Sequence, residues 1–328
     1  MNYLIRRILL VIPTVLGAGV FVFLLMRIIP GDICLVRWVD YNHDLRLELH
    51  DIITGLEMCR DHLGLNDPIY IQLFKFIKGF FTFDLGVSMW TERPITEELE
   101  LRFALSLQVA IMATITSLLI AIPFGVISAV KQNTWIDYVI RTISIAGVAV
   151  PSFWLGMLII LGILISSQAW FGEPWMPPIE YVPPFVDPAE NLSHLIWPVI
   201  ATGYRYSSVV ARMTRSALLE VLHEDYIRTA KAKGLAEKIV IYRHAFRNAF
   251  LPVITVIGME FAFFMGGLVV TEQVFNLNGL GRLMLDSVLY ADFNMTQALV
   301  MLFVTLFVGI NLIIDIFYAW LDPRIRYG

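Results

Sequence analysis

Residues 103–130 read Phe-Ala-Leu-Ser-Leu-Gln-Val-Ala-Ile-Met-Ala-Thr-Ile-Thr-Ser-Leu-Leu-Ile-Ala-Ile-Pro-Phe-Gly-Val-Ile-Ser-Ala-Val, with no Asp, Glu, Lys or Arg. A helix of that length outreaches the roughly 30 Å hydrocarbon core of a bilayer. Five more apolar runs lie at about 8–29, 138–167, 195–211, 250–271 and 298–321, the fourth interrupted by Pro198 and Arg205. The 328-residue chain is 58% hydrophobic, and its mean hydropathy is +0.71. A soluble domain of this size fills its core at a lower apolar fraction. The pattern therefore predicts an all-α integral membrane protein with six transmembrane helices. Arg6 and Arg7 precede a first run with no small-residue cleavage site, so it reads as a retained helix.

Orientation follows from the basic residues beside the runs. Arg6 and Arg7, Lys131 and Arg141, the cluster from Arg212 to Arg247, and Arg324 and Arg326 share one side if there are six crossings. The loop 168–193 falls on the other side, with four acids, no Lys or Arg, and many prolines, which predict an extended segment. Both termini are thus expected in the cytoplasm. Trp170, Trp175 and Trp197, and at the other interface Trp135 and Trp320, fit aromatic belts. The division is 1–30, a first crossing; 31–102, an external subdomain with helix-like pieces; and 103–328, a transmembrane core with a cytoplasmic loop at 212–249.

The net charge of −4 disfavours a nucleic-acid partner. Cys34 and Cys59 fit no zinc or redox spacing; a disulfide and two unpaired thiols are both open. His43, His50 and His62 match no ligand motif and read as solvated, so no metal site is assigned. The stretch 91–100 reads as a solvated helix face, and Gly266-Gly267 as a point of close helix approach.

Between the fourth and fifth runs, residues 220–235 read Glu-Val-Leu-His-Glu-Asp-Tyr-Ile-Arg-Thr-Ala-Lys-Ala-Lys-Gly-Leu. Asp225 is expected to cap a short helix, Ile227 and Ala230 to share one face, and Gly234 to end it in a left-handed turn. A second amphipathic helix, about 237–247, leads to Leu251-Pro252. A short helix lying across two crossings can act as a lever on both.

Here the chain resembles the membrane subunits of binding-protein-dependent ABC importers. Arg228-Thr229-Ala230, three residues, Gly234 and a later Leu251-Pro252 follow their loop signature. Its departures from the general form resemble the oligopeptide/dipeptide/nickel branch. So do Arg27-Ile28-Ile29-Pro30-Gly31-Asp32, Asp84-Leu85-Gly86-Val87-Ser88, Pro151-Ser152-Phe153-Trp154, Glu272-Gln273-Val274-Phe275, Gly279-Leu280-Gly281-Arg282 and Leu321-Asp322-Pro323-Arg324. The large segment 31–102 is similar to that of the B-type subunit.

The resemblance implies a permease in a bacterial inner membrane, paired with a second, homologous permease. It also implies two ATPase subunits and an extracytoplasmic substrate-binding protein. The ATPase-coupling contact falls on Asp225, Arg228, Thr229, Ala230, Lys233 and Gly234. The chain has no phosphate-loop motif, so ATP and magnesium belong to the partners, and it carries no catalytic residue or cofactor of its own. Peptides are the expected solutes; nickel chelates and oligosaccharides are carried by similar permeases. The rival readings are a proton-coupled secondary transporter acting alone and a membrane enzyme or scaffold with no dependence on ATP.

Charges inside apolar runs face a path or a partner. Arg205 and Glu260 are therefore candidates for the translocation path; the alternatives are a structural ion pair between them or an Arg205 that snorkels to the membrane surface. Asp315 is read as structural in preference to a proton relay, and Glu272 as a cap or gate-region residue.

Overall fold

A computed structural model describes residues 2–28, 34, 49–62, 64–177, 180–266 and 268–321. Among them there is no β-strand, and only an isolated bridge joins Val87 to Pro94. The helices are α1 (Asn2–Ile28), α2 (Leu49–His62), α3 (Ile69–Thr82), α4 (Ile95–Val130), α5 (Trp135–Ala149), α6 (Ser152–Phe171), α7 (Pro188–Leu222), α8 (Asp225–Ala232), α9 (Glu237–Met265), α10 (Val269–Val274), α11 (Leu280–Leu289) and α12 (Phe293–Leu321). Five of them, α1, α4, α6, α9 and α12, are long and apolar enough to cross a membrane.

The fourth apolar run lies in α7, which is 35 residues long yet falls outside that set. The reason is its position at the centre. It packs against α4, α5, α6 and α9, with α4 its largest neighbour. Leu195, Val199, Val210 and Leu218 are buried on it, but so are Asn191, Thr202, Ser207, Ser208 and Thr214. A helix enclosed by protein can carry polar residues where their hydrogen bonds are met. The Ser207 hydroxyl donates to the Tyr204 carbonyl, and the Thr214 hydroxyl to Val210. Two glycines set the α4–α7 distance: a Cβ on Gly125 would overlap Thr214, and one on Gly203 would sit 3.1 Å from the Ala113 carbonyl. Asp187 starts α7 by accepting the N–H groups of Ala189 and Glu190, with Pro188 at the first helical position.

Several expectations are corrected. The third run, 138–167, is two helices, because Pro151 lacks an N–H and holds Val150 extended. The segment 237–247 is not a separate helix. It runs into the fifth apolar stretch through a π-helical part, Val240–Ala245, and Pro252 lies inside α9. In 91–100 the helix begins only at Ile95, and Ile95, Glu98 and Leu99 are buried. Gly266 meets no neighbouring helix, since a Cβ there would touch only the Phe263 and Ala262 carbonyls; Gly267 lies outside the described residues.

Helices α2 and α3 supply the helical pieces expected in 31–102. Cys34 and Cys59 form a disulfide, which settles that alternative. His43 lies outside the described residues, as do the side chains of His50, His62 and Trp320. Trp170, Trp175 and Trp197 line one recess between α6 and α7.

Candidate coupling site and membrane path

Helix α8 has one apolar face. Ile227 is fully buried and Ala230 nearly so. Both join a cluster with Val126 and Ala129 of α4, Leu218 of α7, and Val240 and Ala245 of α9. The i, i+3 spacing puts them on one side of the helix, and that side is clamped by three long helices. The other side is charged and open: Asp225, Arg228, Lys231 and Lys233 are exposed. Lys238 and Arg243 extend this basic surface.

The helix ends differ in part from expectation. The N-cap is Glu224, without a side-chain cap, and Asp225 is the first helical residue. The Asp225 carboxylate instead lies 3.4 Å from Arg228. Gly234 has φ +75°, and its N–H donates to the Lys231 carbonyl, as the left-handed ending requires. Thr229 donates its hydroxyl back to the Asp225 carbonyl. Asn248 of α9 donates to the Tyr226 hydroxyl at 2.7 Å, tying α8 to α9.

Arg205 and Glu260 are not in direct contact, although their charges interact. Arg205 is exposed on α7, its guanidinium carbon 5.8 Å from the Tyr206 ring centroid. Glu260 is half-buried on α9, facing Thr114, Ser117 and Val210. The alternative of a structural ion pair between them therefore lacks the contact it needs. Asp315 pairs with Arg7 at 3.1 Å, which joins α12 to α1.

Two buried carboxylates hold partners that the sequence reading does not name: Asp137, which it does not single out, and Glu272, which it expects as a cap or gate-region residue. Asp137, at the start of α5, takes Arg215 of α7 bidentately, Nε at 3.0 Å and Nη2 at 2.9 Å. The Arg215 guanidinium holds its carboxyl well below the usual range, against the opposing effect of burial, with help from the Ser128 hydroxyl and the Asn133 N–H. Glu272, fully buried on α10, accepts the Ser106 hydroxyl of α4 at 3.0 Å and the Arg282 N–H of α11 at 2.8 Å. Each acid sits in the first turn of a helix, the one available sequence signal, but its partner is far away in sequence.

Residues 121–327 match the family model for "Binding-protein-dependent transport system inner membrane component". The chain is 37% identical to the glutathione transport system permease protein GsiC of Escherichia coli O6:H1 (strain CFT073) and 36% identical to that of Escherichia coli K12. It is 37% identical to the same-named protein of Salmonella choleraesuis. In all three, 100% of this chain and 99% of the relative are covered. A solved structure, "Crystal structure of an amino acid ABC transporter with histidines", is 16% identical with a TM-score of 0.47, covering 65% of this chain and 89% of that one. The family match and the full-length relatives together place the chain among the binding-protein-dependent inner membrane components, as a multi-pass permease subunit of an ABC importer.

Proposed function

We propose that this permease forms one half of a translocation path for short peptides, with a second homologous permease as the other half. Two ATPase subunits bind its cytoplasmic face, and a substrate-binding protein delivers solute from outside. The chain crosses the membrane six times, α7 adding the fourth crossing in chain order to the five apolar helices, with both termini in the cytoplasm. It binds no cofactor; ATP and magnesium act in the ATPases.

The observation that carries this reading is the two-sided helix α8. Ile227 and Ala230 lock one side to α4, α7 and α9. Asp225, Arg228, Thr229, Lys233 and Gly234 remain exposed for a partner. When the ATPases close on ATP, force on this exposed side moves three helices as a unit. A shift of packed helices between two arrangements then alternates access to the path.

The substrate class rests on two supports. The relatives are named for glutathione, a short peptide with two free carboxylates. Arg205 is an exposed cation within α7, at a depth where charge facing lipid is costly. It would take a substrate carboxylate, while Glu260 on the facing part of α9 would favour the amino group.

The test is reconstitution of the chain in liposomes with its second permease, ATPases and binding protein. ATP-driven uptake of short peptides, lost when residues 226–233 are scrambled, is the expected result. Uptake by this chain alone, driven by a pH gradient, would overturn the proposal in favour of a secondary transporter.

A further inference from the structure

Between α9 and α12 the chain makes a hairpin, residues 268–292, at the end of the bundle opposite α8. Its two short helices pack against the long ones several residues in from their ends, at Ser106 of α4, Gly156 of α6 and Thr202 of α7. Thr271 on α10 meets Thr202 of α7, hydroxyl to hydroxyl, at 3.3 Å. Phe275 occupies the space beside Gly156 of α6, where a Cβ would come within 2.9 Å of its ring. Asn278 accepts from Arg102 of α4 at 3.1 Å. Asp292 accepts the Ser88 hydroxyl and the Trp90 N–H from the preceding external loop, and the Trp90 ring stacks on Tyr290 at 3.9 Å.

At the centre of these contacts is Glu272. Its carboxylate receives the N–H groups of Gly281 and Arg282, in the first turn of α11. The Ser106 hydroxyl donates to the same carboxylate and accepts the Leu280 N–H at 2.8 Å. Glu272 and Ser106 thus satisfy the orphan N–H groups of a helix that has no side-chain cap of its own. Gly279 leaves the space that the carboxylate fills, since a Cβ there would overlap it, and a Cβ on Gly281 would clash with the Val269 backbone and crowd the carboxylate at 3.0 Å. Burial pushes the Glu272 carboxyl up, and these donors oppose that shift. A helix cap supplied by its own neighbouring residue would need no partner on α4. This one needs both a buried acid and a hydroxyl from a different crossing.

We propose that Glu272 is a positioning residue, a latch that holds the hairpin shut over the outer mouth of the path by way of Ser106. The claim rests on the transport reading above and adds the element that must release for solute to enter. When the path opens outward, the Ser106–Glu272 bond breaks while Glu272 and α11 move together.

The chain's two cysteines are both in the disulfide, so an engineered cysteine is the one free thiol. Thr271→Cys places it under the hairpin, at a buried position. Labelling by a membrane-impermeant maleimide then reads opening, with Glu272→Gln and Ser106→Ala compared against the unmodified latch. ATP hydrolysis by the assembled complex without binding protein is measured in parallel. Losing one hydrogen bond to a charged group should speed labelling and raise unstimulated hydrolysis roughly tenfold or more. Assembled variants that match the parent in both readouts would reduce Glu272 to a helix cap and overturn the latch. Ser106→Ala removes a single hydroxyl, so it keeps the test open should Glu272→Gln fail to fold. If the parent complex hydrolyses no ATP and takes up no peptide, the transport reading fails instead; faster labelling of the variants would still show that Glu272 holds the hairpin shut.

Discussion

Asp137 accepts both N–H groups on one edge of the Arg215 guanidinium across 78 residues of sequence, with Asp137 fully buried. The pair joins the short turn after α4 to the end of α7, one helix away from the lever α8. It therefore ties the start of α5 to α7.

Asp137→Asn should destabilise the chain by about 3–5 kcal/mol, because it leaves the Arg215 charge without its carboxylate in a mostly buried position. The pH dependence has a definite sign. The Asp137 pKa is depressed below its ordinary 3.8. Its stabilising contribution is then fully present above that ordinary value and is lost as pH falls through the lower folded value. Thermal unfolding in detergent should show the parent–variant difference persisting down to about pH 4 and shrinking only below it. A difference that vanished near pH 6 would assign it to some other group.

The two faces of α8 should separate by mutation. Arg228→Glu and Lys233→Glu lie on the exposed face. They should leave the stability within about 0.5 kcal/mol of the parent, yet release the ATPases during purification. Ile227→Ala should do the reverse, costing about 2–5 kcal/mol of stability through the cavity it opens in a packed cluster. Equal loss of ATPase binding in all three would refute the division of labour.

The disulfide gives a direct check on orientation. Disulfides persist on the oxidising side of a bacterial inner membrane. In intact cells, Cys34 and Cys59 should resist a thiol reagent until a membrane-impermeant reductant is added. Labelling without reductant would put 31–102 on the wrong side.

What could be read from the sequence was what local pattern controls. Apolar runs gave the helices, and Ile227, Ala230 and Gly234 gave α8, since spacing and a left-handed glycine need no distant partner. The helix break at Pro151 was written in the chain too, but a long apolar run concealed it. What stayed hidden was pairing at a distance. Arg215 looks like one more basic residue in a topology signal, and Ser106 like a small residue in an apolar run. Only the fold shows that each completes a buried carboxylate.

Arg205 carries the last prediction. It is an exposed charge in the middle of α7, and the residues around it, Thr202, Tyr206, Ser207 and Ser208, are all buried. Its neighbours leave it no acid within ion-pair distance among the described residues, and its guanidinium lies over the Tyr206 ring. Arg205→Met keeps the length of the side chain and removes the charge. It should leave folding and ATPase binding intact while weakening uptake of carboxylate-bearing peptides roughly tenfold or more, the size of one lost hydrogen bond to a charged group. Arg205→Lys keeps the charge but not the planar fork that grips a carboxylate with two bonds. It should retain part of the transport with a raised KM. Peptides whose carboxyl groups are amidated should show little difference among the three proteins. If Arg205→Met transports free and amidated peptides as well as the parent does, the cation does not touch the solute, and the path runs along another face of α7.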